Sequence, residues 1–217
     1  MTGLAVVRLG VDVPYEQVWG LQRRAHRRRA ANEISDLCLM LEHAPVYTAG
    51  SRTQPHERLS DGTPVIDVDR GGKLAWHGPG QLVCYPILRI ADVAGYVRLL
   101  EDVLIQICAD FGVVARRIAG HGGVWVPGDA ASGLPDRRVA AIGIRVAGGV
   151  SMHGFSLNCV NDLSWYNRIV EGDAGVTSLS AETGRRITVD EVMPLAEKRL
   201  AEALGTEPYD MYEEDLA

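Results

Sequence analysis

The chain has 217 residues, of which 47% are hydrophobic and 23% charged, and carries a net charge of −6. These values exclude an intrinsically disordered chain and a general nucleic-acid binder. No window approaches the roughly 20 apolar residues of a membrane span, and the opening MTGLAVVRLGVD lacks the basic-then-apolar order of a signal peptide, so a cytoplasmic protein without membrane attachment is expected. A single domain over residues 1–205 is expected, followed by an acidic, flexible tail over 206–217. Cys38, Cys84, Cys108 and Cys159 are widely separated and form no C-x-x-C pair. They read as free thiols, with neither a metal site nor a disulfide framework implied.

In chain order, Leu4 to Leu9 reads as a strand, and Pro14 suits the first turn of a helix running to about Ala31. Five of the six residues Arg23, Arg24, His26, Arg27, Arg28 and Arg29 in that helix are arginines. The run reads either as a solvated face or as a docking patch for an acidic carrier protein. Leu37 to Leu41 is a buried strand, and His43 to Asp61, broken by Pro, Gly, Thr and Ser, reads as a long loop. Pro64 to Asp69 is a short strand. Gly71-Gly72 and His77-Gly78-Pro79-Gly80 form a glycine-rich turn before the strand Gln81 to Leu88.

Tyr96, Leu100, Val103, Leu104, Ile107, Cys108 and Phe111 fall at helical spacing, so Tyr96 to Phe111 is an amphipathic helix with Cys108 in its buried stripe. Val124 to Val126 is a short strand. Val139 to Val146 and Ser151 to Leu157 form a hairpin through Gly148-Gly149, and a helix over about Val189 to Leu204 closes the pattern. Strands grouped in the middle with helices around them predict an α+β domain with a central mixed sheet.

The glycine-rich segments bear on function. Glycines let backbone come close to a ligand and turn N–H groups toward a carbonyl or phosphate, although Arg-Gly-Gly and His-Gly-Pro-Gly are also compatible with plain tight turns. His77 and His43 suit polar roles at the mouth of such a groove.

Three separated stretches carry a resemblance. Asp69-Arg70-Gly71-Gly72-Lys73-Leu74-Ala75-Trp76-His77-Gly78-Pro79-Gly80-Gln81-Leu82 is similar to the pattern R-G-G-x-x-T-x-H-G-P-G-Q-L, with Ala75 at the threonine. Leu41-Glu42-His43 with Val46-Tyr47-Thr48-Ala49-Gly50 is the second. The third is Val139-Ala140-Ala141-Ile142-Gly143-Ile144-Arg145 followed by His153-Gly154-Phe155-Ser156-Leu157-Asn158. In order and spacing over roughly residues 5 to 200 the chain resembles the octanoyl/lipoyl transferases, a family similar in fold to the biotin and lipoate protein ligases.

The resemblance implies an acyl-binding pocket formed by Arg70, Gly71, Gly72, Lys73, Leu74, Ala75, Trp76, His77, Ala141, Ile142, Gly143, Gly154, Phe155 and Ser156. It implies a medium-chain acyl group, an acyl carrier protein and a lipoyl-domain protein as ligands, and no cofactor or metal. The family's chemistry uses a cysteine that accepts the acyl group and a lysine that tunes it. Arg138 stands at the lysine position, and the segment from Asn167 to Thr177, which matches the cysteine-bearing one, holds no cysteine. An arginine holds an anion but does not act as a base. Arg138, His77, Glu171 and Asp173 are therefore the candidate catalytic groups, with the two carboxylates able to deprotonate an amine for direct attack on a thioester. Cys84 and Cys159 follow matched segments and could lie near the groove as substitute thiols, but they read first as small buried strand residues. A non-catalytic relative that binds a carrier protein, a lipoyl domain or a partner subunit is the alternative; an acyl-adenylate-forming ligase is a third.

Overall fold

The computed structural model describes residues 3–129, 131–169 and 175–216. Its elements are β1 (Leu4–Val13), α1 (Tyr15–Ala30), β2 (Leu37–His43), β3 (Val46–Ala49), β4 (Val65–Asp67), β5 (Leu74–His77), β6 (Gln81–Ile87), α2 (Val93–Asp110), β7 (Arg116–Ile118), β8 (His121–Val126), β9 (Arg137–Ala147), β10 (Val150–Asn158), β11 (Gly175–Val176), α3 (Leu179–Thr183), α4 (Val189–Ala203) and β12 (Pro208–Asp210). The main sheet runs β12-β1-β2-β6-β10-β9-β8-β7, with β11 added against β9, and a small second sheet runs β4-β3-β5. β1 lies parallel to β2 and β12, whereas β2, β6, β10, β9 and β8 pair antiparallel in turn. The sheet is mixed and the fold α+β, as the sequence pattern predicts.

The inner strands β6 and β10 are buried along their whole length, and β2 at all but Glu42, because both faces of the sheet are covered. In β2, Cys38 and Met40 point into one core, and Leu37, Leu39 and Leu41 into the other. The first core is closed by Leu100, Val103, Leu104 and Ile107 of α2 and by Val192, Ala196 and Leu200 of α4. The second is closed by Val18, Leu21 and Ala25 of α1. Local signals fix the helix starts: Asp92 accepts from the Ala94 N–H before α2, and Thr188 and Glu191 form a reciprocal capping box at α4. Pro14 occupies the N-cap of α1 itself. Gly148 and Gly149, both at positive φ, make the tight hairpin between β9 and β10.

Three sequence expectations are corrected, and the reading of Cys84 and Cys159 as buried strand residues holds. The stretch read as a loop from His43 contains β3, and the glycine-rich turn contains β5; these strands are only four residues long and pair with each other, too short for a periodicity to show. The acidic segment 206–217 is not loose where described: β12 extends the sheet beside β1, and Leu216 is fully buried. Cys84 and Cys159 lie with Cys38 and Cys108 in the α2/α4 core. Burial raises their pKa values, that of Cys159 to about 12, which keeps both as inert thiols.

Leu104 is fully buried where α2 meets the sheet. Leu104→Ala is expected to lower unfolding stability by about 2–5 kcal/mol, measured by urea denaturation.

Candidate functional site

Beside α1, on the sheet face opposite α2 and α4, a cavity of about 510 Å³ opens between the outer surface of β9 and β10 and a strap of chain from Arg70 to Ala75. The strap is fastened across the strands. The Gly71 N–H donates to the Ile144 carbonyl at 2.9 Å, and the Asp69 carboxylate accepts from His153 Nε2 at 2.8 Å while pairing with Arg145. Arg70 turns inward, 7% exposed, and donates to the Thr48 carbonyl and hydroxyl and to the Gly71 carbonyl. Behind it, β5 pairs with β3, so the small sheet acts as a bracket for the strap.

Two glycines are required by close approach. A Cβ on Gly143 would stand 3.0 Å from Arg70 Cδ, and one on Gly154 would stand 2.2 Å from the Cys84 carbonyl oxygen. The first keeps the pocket floor flat under the strap, and the second lets β10 pack against β6. His153, just before Gly154, holds φ at +56°, a conformation that costs a non-glycine residue free energy and is kept only where surroundings enforce it. Here Asp69 holds its ring, while its backbone N–H donates to Gln22 Oε1 of α1.

Of the residues expected to bind substrate, Arg70, Gly72, Lys73, Leu74, Ala75, His77, Ala141, Ile142, Gly143, Gly154, Phe155 and Ser156 line the cavity. Two do not. Gly71 serves the strap through its backbone, and Trp76 faces the other side of β5, stacked on Trp165 at 5.8 Å. Arg138 lines the cavity at the start of β9, its guanidinium 5.7 Å from the Trp125 ring. Glu171 and Asp173 lie outside the described residues. Sequence reasoning passed over Tyr15, Arg52, Glu57, Tyr85, His121, Gly122, Trp125, His153 and Ile169, which also line the cavity. Gly120-His121-Gly122-Gly123 was the one visible signal for part of that set. The others come from elements distant in sequence.

The site carries an excess of positive charge from Arg52, Arg70 and Arg138. Arg70 has no carboxylate within ion-pair distance among the described residues, and Arg138 is close enough to repel it. Both guanidiniums stay charged at any accessible pH. His43 donates through Nδ1 to the Val13 carbonyl and accepts at Nε2 from the Tyr85 hydroxyl; His77 donates through Nδ1 to Gln81 Oε1. Burial holds His43 at about 4 and His77 and His153 at about 3, so all three are neutral at pH 7. Burial also pushes Tyr15 up to about 12. Lys73 pairs with Glu57 at the rim. No thiol is among the lining residues, and no group of metal ligands occurs among the described residues.

The sign of the histidine effect is fixed. A folded-state pKa below the unfolded value near 6.5 means that the unfolded chain binds more protons, so stability is complete above about pH 6.5 and falls as pH drops toward 4. Calorimetry between pH 7.5 and 4.5 is expected to show Tm falling over this window, and His77→Gln is expected to flatten the fall. An unchanged slope would show that His77 does not fold in its neutral form.

A family model described as the lipoyl protein ligase A/B catalytic domain matches residues 14–201. The octanoyltransferase of Salinispora tropica is 58% identical over 203 residues, covering 91% of this chain and 94% of that protein. That of Acidothermus cellulolyticus is 56% identical over 198 residues, covering 88% of each. In backbone the chain is similar to a structure of an archaeal bipartite lipoate protein ligase system from Thermoplasma acidophilum, with a TM-score of 0.74 at 12% identity, covering 100% of this chain and 91% of that one. A biotin protein ligase from Aquifex aeolicus, in complex with biotin and ATP, has a TM-score of 0.55 at 13% identity, covering 94% and 71%. The distant structures bear on the fold, and the close relatives and the family model on kinship: the chain belongs to the octanoyltransferases, within the lipoyl protein ligase A/B catalytic family.

Proposed function

We propose that this protein transfers an octanoyl group from an acyl carrier protein thioester to a lysine amine of a lipoyl domain, without a cofactor, in the cytoplasm. The single domain, to which β12 and Leu216 also belong, carries the activity. The observation that supports the reading most strongly is a cavity lined in part by the apolar side chains of Leu74 and Trp125 that also holds two neighbouring cations, Arg70 and Arg138. An apolar chain gains from burial in such a cavity, while the cations favour negative charge developing on the thioester oxygen or the leaving sulfur. The acceptor is drawn from family kinship and from the Thermoplasma ligase, whose structural description includes its E2 lipoyl domain.

With no thiol lining the cavity, the reaction is a direct aminolysis. The lysine nitrogen attacks the thioester carbonyl carbon, the C–S bond breaks, and the carrier's sulfur leaves as a thiolate beside Arg138. The proton lost from the amine nitrogen returns to that sulfur. Glu171 and Asp173 are the proposed acceptors of this proton. The Nε2 of neutral His77, left free when Nδ1 donates to Gln81, orients the amine. A second reading, binding of carrier or lipoyl domain without turnover, is favoured by the same lack of a pocket thiol.

Intact-mass spectrometry of an unmodified lipoyl domain, incubated with octanoyl carrier protein and this chain, decides between the two. One added octanoyl group is expected. Gly143→Val, which fills the floor under Arg70, is expected to abolish transfer, and Arg138→Ala to slow it by about 10²-fold or more. An unmodified lipoyl domain together with measurable carrier affinity would establish the binding reading in its place.

A further inference from the structure

The basic run of α1 divides into two groups in three dimensions. Arg29 pairs with Asp36 at 2.6 Å, and Arg28 reaches Glu33 and the Asp215 carbonyl, so both are used in holding the fold. Arg23, Arg24 and Arg27 are exposed and have no carboxylate within ion-pair distance among the described residues. Three unneutralised cations on one helix face stand out in a chain whose net charge is −6.

That face is joined to the cavity. His77, in the cavity wall, stacks on Tyr15 with centroids 6.1 Å apart; Tyr15 meets Trp19 at 6.4 Å; and the Arg23 guanidinium lies 4.5 Å over the Trp19 ring. Tyr15, Trp19, Arg23 and Arg27 are spaced four residues apart, a line along one side of the helix. At 1.5 Å per residue, Arg23 stands about 12 Å and Arg27 about 18 Å along the axis from Tyr15. A ledge of positive charge therefore begins a little over two helical turns beyond Tyr15.

We propose that this ledge, made by Arg23, Arg24 and Arg27, is the docking surface for the acidic carrier protein that delivers the acyl thioester. The proposal rests on the acyl-transfer reading. A carrier that holds its acyl group on a long flexible arm docks at a distance from the cavity and threads the arm in. An acceptor lysine, with only a four-carbon stem, brings its domain to the cavity mouth itself and does not depend on a ledge set back along α1. Charge complementarity selects the carrier against the chain's negative remainder, and works mainly by steering association.

The test uses the full chain and a variant carrying Arg23→Glu, Arg24→Glu and Arg27→Glu, with unchanged Tm as the check on folding. Transfer is measured with octanoyl carrier protein and, separately, with octanoyl-pantetheine, an uncharged donor that needs no docking. The expected result is a KM for the carrier raised about tenfold or more, with kcat/KM for octanoyl-pantetheine and KM for the lipoyl domain unchanged. Added salt should weaken use of the carrier by the native chain and have little effect on the variant. An unaltered carrier KM, or a rise for the lipoyl domain instead, would overturn the proposal. Should the native chain transfer from neither donor, the acyl-transfer reading fails, and calorimetric titration with the carrier decides docking alone. Binding lost in the variant sustains the ledge; equal binding, or none by the native chain, refutes it.

Discussion

Everything proposed for this protein depends on the strap from Asp69 to Ala75 being held across β9 and β10. A single backbone hydrogen bond, Gly71 to Ile144, sets its height, and Asp69 anchors it sideways through His153 and Arg145. Arg70 then has to point inward. Its guanidinium is buried without a carboxylate among the described residues, a costly arrangement made tolerable by its hydrogen bonds to Thr48 and Gly71. Were the strap to lift, the cavity would become an open sheet face, and Arg70 would return to water.

The same constraint explains the electrostatics. Burial keeps His77 and His153, which line the cavity, neutral, so its charge comes from Arg52, Arg70 and Arg138 and from the Lys73–Glu57 pair. Hydrogen bonds through Gln81, Asn158 and Tyr166 hold His77 in place from below, and Asn158 in turn donates to the Thr177 carbonyl next to β11. The β6–β10 half of the sheet is thus a rigid plate that carries the site, and the small sheet supplies its lid.

Much of this was legible in the sequence. The amphipathic stripe of α2, the apolar runs of β2 and β6, and the Gly148-Gly149 hairpin each follow from local periodicity or turn chemistry. The strap and the floor were legible through Arg70 to His77 and Ala141 to Ser156, because glycines and polar residues inside strand patterns mark close backbone approach. What was not legible arises between distant segments. Nothing local tells that Trp76 faces away from the cavity while its neighbours Ala75 and His77 line it, since β5 is too short to display its alternation. Tyr15 and Tyr85 reach the site only through the packing of α1 on β6, and the acidic tail is ordered only because β1 offers it a free edge. Likewise, the split of the arginine run follows from where Asp36, Glu33 and the tail lie.

In the proposed direct aminolysis Arg138 and the carboxylates take the parts that the resemblance gives to a lysine and a cysteine, within a cavity whose lining holds no thiol. The central claim is therefore about what the cavity holds. It is tested most directly by a crystal structure of the chain bound to a non-transferable amide analogue of octanoyl-pantetheine. The octanoyl chain is expected between Leu74 and Ala75 on one side and Ile142, Gly143 and Phe155 on the other, its carbonyl oxygen within hydrogen-bond reach of Arg70 or Arg138. An analogue bound elsewhere, or one bound with its apolar chain outside this cavity, would contradict it.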